Sequence, residues 1–181
     1  MKSVLRYTAA GVALATFGFA SNASAATSVT ANARAEIMTT LDIKIDATDN
    51  MLDFGQITPL ATLAANSTVI VPASAAPTVT CGANLTCAGV AGATKFNVTG
   101  LAGAQVNITL PGAGVQLSNP VTSATLSTVM DLSAWTSNAA SNRITLTGGA
   151  GSFYVGATLT VKPNQAPGTY TGTFPISVAY N

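Results

Sequence analysis

The sequence predicts an all-β protein, a β-sandwich of Greek-key-like topology, on three observations. The clearest runs alternate apolar and polar residues at a period of two, which is the signature of half-buried strands. Turn signals recur about every ten residues, and no stretch carries a helical period. The 181 residues include no histidine, and only 7% are charged. A free globular surface usually carries about a quarter charged residues, so Thr, Ser, Asn and Gly must do the solvating. Such a surface suits an exported protein that packs or polymerises.

At the start of the chain, Lys2 and Arg6 precede an uncharged, mostly apolar run from Ala9 to Ala20, and Ala23-Ser24-Ala25 offers small residues for signal peptidase. Residues 1–25 therefore read as a secretory signal peptide, removed so that the mature chain begins at Ala26. The apolar run is too short to cross a bilayer, which takes about 20 residues, and no later segment replaces it. The protein is expected in the periplasm in transit and then at the cell surface or outside the cell. Five bases against six acids leave the mature chain at a net charge of −1, so nucleic acid is not an expected partner.

From Val29 to Ile45 the odd positions are Val, Ala, Ala, Ala, Ile, Thr, Leu, Ile and Ile, while the even ones are mostly polar. At about 3.3 Å per residue this run is too long for one straight strand, since strands rarely exceed about ten residues. Either it bends between sheets, or its first half leaves the domain. The second option divides the chain into an extended N-terminal arm at 26–35, with Val29, Ala31, Ala33 and Ala35 on its apolar face, and a single sandwich domain at 36–181 whose first strand is Glu36 to Ile45.

Asp46-Ala-Thr-Asp49-Asn50 breaks the alternation. Asp46 and Asp49 could bind calcium weakly, but the EF-hand spacing and its glycine are absent, and short side chains bonding their own backbone account for the cluster better. Leu52-Asp53-Phe54-Gly55 shares three letters with the kinase DFG motif and nothing else of a kinase. Phe54 is expected in the core and Gly55 at a bend. A short strand is predicted at Ser67 to Val71.

Cys81 and Cys87, the only cysteines, are expected to form a disulfide in an exported protein. Closing so small a loop contributes only ~2 kcal/mol on the chain-entropy estimate, so it should pin local structure rather than staple distant elements. Further strands are predicted at Lys95 to Thr99, Gln105 to Leu110, Val115 to Leu117, Ala124 to Leu132 and Arg143 to Thr147, and Trp135 is expected in the core. Sequons at Asn66, Asn84, Asn97 and Asn107 follow from Thr-rich strands and carry little information.

The last thirty residues read as a terminal antiparallel hairpin. Phe153, Val155, Ala157, Leu159 and Val161 share one face of the first strand, PNQAPG (163–168) turns the chain, and Tyr170, Phe174, Ile176, Val178 and Tyr180 share one face of the second. Pro175 sits inside that second strand and lacks an N–H, so the side of the strand that faces Thr173 and Ser177 should be open or irregular.

The alternating arm, the LDFGQITP block at 52–59 and the ending APGTYTGTFPISVAYN at 166–181 together resemble an uncharacterised family of secreted bacterial β-sandwich domains, whose ends are similar to spore coat protein U and to pilin subunits of the chaperone–usher system. The resemblance implies an incomplete immunoglobulin-like, pilin-like sandwich whose missing strand is supplied by the arm of a neighbouring subunit. It makes Val29, Ala31, Ala33 and Ala35 the donor side chains, and Phe174, Pro175, Ile176, Val178 and Tyr180 the strand bordering the groove. Tyr180 matches the aromatic near the C-terminus of such pilins. The implied partners are further copies or related subunits, a periplasmic chaperone and an outer-membrane usher.

Two functions compete on these grounds. One is a fimbria-like structural subunit assembled by donor-strand complementation. The other is a self-complete secreted module binding a glycan or protein at its loop ends. An enzyme is not expected: without histidine no Ser–His–Asp or Cys–His arrangement can form, and neither a cofactor nor a metal site is predicted.

Overall fold

The computed structural model describes residues 28–181, so the expected signal peptide and Ala26 lie outside the described residues. The chain divides into two units, Met1–Glu36 and Ile37–Asn181. The described part of the first unit, from Ser28 onward, is exposed and outside any strand, with an ion pair of 2.8 Å between Arg34 and Glu36.

The second unit is all-β apart from one 3₁₀ turn at Ala140–Asn142. Its strands are β1 Asp42–Ile45, β2 Gln56–Pro59, β3 Ser67–Val71, β4 Thr80–Cys81, β5 Leu85–Ala88, β6 Thr94–Thr99, β7 Gln105–Thr109, β8 Val115–Ser118, β9 Val129–Ser137, β10 Arg143–Thr145, β11 Ala150–Val161 and β12 Ser177–Tyr180. They form a seven-stranded sheet (β1, β6, β11, β3, β4, with β9 and β8 on the other side of β11), a three-stranded sheet in the order β10-β7-β12, and the pair β2-β5. All the ladders are antiparallel. No helix among the described residues is long and apolar enough to cross a membrane.

The long strand β11 organises this arrangement. Val155 pairs with Thr94 of β6 and with Ser137 of β9, so those two strands lie on opposite edges of β11. Thr158 to Thr160 pair with β3 and with β9, so β3 must follow β6 end to end along one edge. One strand thereby joins two halves of a sheet. Its inward residues Phe153, Val155, Ala157, Leu159 and Val161 are all buried and enter both core clusters. In one cluster Phe153, Val155, Phe96 and Val98 meet Val106 and Ile108 of β7 and the half-buried Val178 and Tyr180 of β12. The large sheet and the three-stranded sheet thus share a core, consistent with a β-sandwich.

The expected terminal hairpin does not form. β11 pairs with β6, β3 and β9, whereas β12 pairs with β7 in the other sheet. Phe96 stacks on Phe153 at 5.4 Å and meets Phe174 edge-on at 6.4 Å, so the two alternating runs belong to opposite faces of the core. A period of two says which face is apolar; it does not say whether the next strand lies beside it or across from it.

The first strand is also shorter than expected. Alternation reaches back to Val29, yet pairing begins only at Asp42, and Ser28 to Thr40 are exposed. The strand predicted at Ala124 to Leu132 begins at Val129, because the Ser123 hydroxyl accepts hydrogen bonds from the N–H groups of Thr125 (3.3 Å) and Leu126 (2.9 Å), a local turn that competes with a ladder. It runs on to Ser137, and Trp135 is half-buried where the two clusters meet, tilted against Phe174 at 4.7 Å.

Phe54 is 6% exposed, and Gly55 adopts a φ of 72°, its N–H donated to the Asp53 carboxylate at 2.8 Å. Cys81 and Cys87 are bonded, with Cα atoms 6.0 Å apart. Although the loop is short, the bond joins β4, at the margin of the large sheet, to β5 of the separate β2-β5 pair. It therefore links two sheets, which the spacing alone did not indicate.

Candidate functional site

The domain carries a cleft between two stretches of chain. One lip is Met51 to Pro59, held in place by the reciprocal bonds of Asp53 and Gly92 (2.8 and 3.0 Å) and by the pairing of β2 with β5. The other is Gln165 to Phe174. There the Gln165 amide donates to the carbonyls of Ser127 (2.9 Å) and Val129 (3.2 Å), and the Tyr170 hydroxyl donates to that of Ala166 at 2.7 Å. The buried Asn119 donates to the Pro167 carbonyl at 3.1 Å. Thr171 and Ser118 exchange backbone bonds of 3.0 and 2.8 Å.

The floor is apolar: Leu117, Met130, Leu132, Leu159 and Val161. Two recesses follow one another along it, of about 190 Å³ beside Thr173 and Phe174 and about 680 Å³ beside Gln165 to Thr171. They share Met51, Leu52, Phe54 and Leu117. The smaller recess is also lined by Thr94, whose hydroxyl is buried without a hydrogen-bond partner among the described residues. The Trp135 indole N–H likewise has no partner among the described residues. Buried polar groups are nearly always paired, so Thr94 marks a place where the domain by itself leaves bonding capacity unused.

β12 continues the second lip, and its open edge can be identified. Asn181 N–H donates to the Gln105 carbonyl at 3.0 Å, which makes the odd residues of β12 the ones that bond β7. Ser177 opposes Thr109, so the next bonded rung in this register would place Pro175 opposite Pro111. Neither has an N–H, and the ladder stops there. The irregularity at Pro175 therefore lies on the side of β12 that is paired, and Pro175 itself is exposed just before the strand. The even residues of β12, Val178 and Tyr180, turn their N–H and C=O groups to the other edge, where no strand pairs with them among the described residues.

Phe174, Ile176, Val178 and Tyr180 are half-buried, and Phe174 lines the cleft. Val29, Ala31, Ala33 and Ala35 are exposed and outside any strand. The LDFGQITP block stands out in the sequence, but its place as a lip does not, and neither Thr94 nor Leu117 is marked there as lining a site. Leu117 belonged to a predicted strand, but nothing in its spacing identified what lay above it.

Asp46 and Asp49 have protein partners. Asp46 accepts from the Asn97 amide (2.9 Å), from Thr48 N–H (3.0 Å) and from Lys95 Nζ (3.3 Å), and Asp49 accepts from the Tyr154 hydroxyl at 2.9 Å. Among the described residues no group of three or more His, Cys, Asp or Glu is placed to hold a metal. The bond from Asn97, followed by the backbone N–H groups, holds the Asp46 carboxyl far below the ordinary carboxylate range. Asp46 in turn raises Lys95, and the hydrogen bond to Asp49 raises Tyr154. Asp131 is lowered by Gln116 and then by Lys162.

A carboxyl whose pKa is lower in the folded chain contributes stability above its unfolded value of about 3.9 and loses it as pH falls toward the folded value. Raised groups such as Lys95 and Tyr154 contribute below their unfolded values of about 10.4 and 10 and lose that contribution as pH rises. The thermal midpoint should thus be level from about pH 5 to 9 and fall on both sides. Asp46→Asn should flatten part of the acid limb, leaving the share of Asp131. An unchanged acid limb in a melting series would show that the Asp46 network does not couple to folding.

No curated protein and no solved structure matches the chain. Residues 43–180, which include both lips of the cleft and every strand but the first residue of β1, match the family described as "Domain of unknown function (DUF4402)", and the chain belongs to that family.

Proposed function

We propose that the protein is an exported structural subunit of a surface fibre, assembled when the arm at 26–35 of one copy completes the sandwich of the next. The observation that carries this reading is the edge of β12, unpaired among the described residues, on a stretch of chain whose preceding part, Gln165 to Phe174, lines an apolar cleft. An immunoglobulin-type sandwich has strands A, B, E and D in one sheet and C, F and G in the other. In chain order β1, β6, β7, β9, β11 and β12 fit positions A to F: β1-β6-β11-β9 corresponds to A-B-E-D, and β7-β12 to C-F. Strand G would pair with F on the edge of β12 that is free.

An incoming strand would gain main-chain hydrogen bonds from that edge and register from its alternating side chains. The arm has the needed form, with Val29, Ala31, Ala33 and Ala35 on one face and Ser28, Thr30, Asn32 and Arg34 on the other. An exposed unpaired edge is otherwise a liability that sandwich proteins cover. A periplasmic chaperone and an outer-membrane usher are the partners this assembly calls for.

The test is to express the chain from Ala26 and from Glu36 and to compare unboiled gels, size exclusion and electron micrographs. Heat-sensitive ladders or fibres are expected from the longer chain and none from the shorter. Monodisperse monomers of both, the longer markedly more stable, would establish a self-complete module, with the cleft as its binding site for a glycan or protein.

A further inference from the structure

The length that one strand can take bounds the arm at Ala35, but that boundary does not coincide with the start of the folded domain. Ile37 is 96% exposed, as Val29 is at 94%, and backbone pairing begins only at Asp42. Both residues are odd-numbered, so in an extended segment they lie on the same face, at its two ends, with Ala31, Ala33 and Ala35 between them. That face is bulky at both ends and small in the middle.

The cleft offers two adjoining recesses, of about 190 and 680 Å³, which share Met51, Leu52, Phe54 and Leu117. Val29 and Ile37 are eight residues apart, about 26 Å in an extended strand at ~3.3 Å per residue. We infer that the inserted segment runs from Val29 through Ile37, with these two side chains as its anchors in the recesses of a second copy and the three alanines between them.

This rests on the assembly reading above and adds to it a short junction. The Tyr180 hydroxyl donates to the Thr39 carbonyl at 2.8 Å and accepts Leu101 N–H at 2.8 Å, so Thr39 is tied to its own domain. Only Met38 then separates the anchor from the tied residue. Successive domains abut, and the fibre is stiff.

The experiment uses the chain from Ala26 with Ile37→Ser, alongside Val90→Ser as an exposed control outside the cleft and Ala33→Asp as a block of the arm. Dissociation of preformed assemblies is followed by size exclusion after dilution. Ile37→Ser assemblies should dissociate at least tenfold faster than wild type, Val90→Ser ones at the wild-type rate, and the melting of the monomer should be unchanged. If Ile37→Ser assemblies persist like wild type while Ala33→Asp prevents assembly, the arm inserts without Ile37 and the anchor is refuted alone. If Ile37→Ser instead lowers the melting temperature of the monomer, Ile37 packs on its own domain and the inference fails. Absence of assembly by the wild-type chain would overturn both this inference and the reading beneath it.

Discussion

Gly156→Val should be the most destabilising single substitution on the long central strand, lowering the denaturant midpoint by an amount equivalent to more than ~3 kcal/mol or abolishing soluble expression. Gly156 lies between Val155, the last residue paired with β6, and Ala157, the first paired with β3, and the register against β9 shifts between Gly156 and Thr158. A Cβ there would stand 2.6 Å from Ala73 N and 2.7 Å from Pro72 C, and closer still to the Val71 carbonyl oxygen. All three are backbone atoms, so no side chain can rotate away. Either β3 parts from β11 or the bulge is lost, and both open the core at Val69, Val71 and Leu159, each no more than 2% exposed. Even Gly156→Ala should carry most of the cost, since the clash is with the β carbon. Gly112→Ala is the control, because a Cβ there meets nothing within 4 Å. Equal stability of the Gly156→Ala and Gly112→Ala proteins, measured by urea unfolding, would show that the β3–β11 junction yields and is not a fixed point of the fold.

That junction also marks where sequence reasoning stops. The period of two in Phe153 to Val161 identified β11 and its buried face, and the Val/Ile-rich stretch Ser67–Val71 was predicted with the bounds it has. Both signals are local: each side chain reports the face on which it lies. Partnership is not local. Tyr170 to Tyr180 carry a clean apolar face, but whether that face sits beside β11 or across the core depends on β7, some seventy residues earlier, and on the coincidence of Pro111 with Pro175 at one rung of a ladder. The short strands β2, β4 and β5 went unread for a different reason: at two to four residues they hold too few periods to stand out from loop sequence. The cleft was legible only at its ends. The LDFGQITP block and the terminal block are its two lips, while its floor is drawn from β8, β9 and β11, which no spacing could bring together.

The substitution with the largest expected effect on assembly is Ala33→Asp, at the middle of the small-residue face of the arm. In the single chain Ala33 is exposed and outside any strand, so aspartate there meets water and should leave the thermal midpoint of the monomer unchanged. In the proposed assembly the same position would lie against the apolar residues common to both recesses, Leu52, Phe54 and Leu117 among them. The recess there holds no cation among its lining residues, and the unpartnered Thr94 hydroxyl is too weak a donor to offset the desolvation of a carboxylate. Burying an unpaired charge costs several kcal/mol, enough to remove assembly at any ordinary protein concentration. The neighbouring change Asn32→Asp introduces the same charge one residue away. On an inserted strand successive side chains point to opposite faces, so Asp at 32 faces outward and should be tolerated. The two variants have equal net charge and equal effects on an unstructured tail, and only insertion as a β-strand distinguishes them. Unboiled gels should show ladders for wild type and Asn32→Asp and a lone monomer band for Ala33→Asp. Loss of assembly in both variants would reduce the effect to charge repulsion between arms, and persistence in both would mean that the arm at 33 does not enter the cleft.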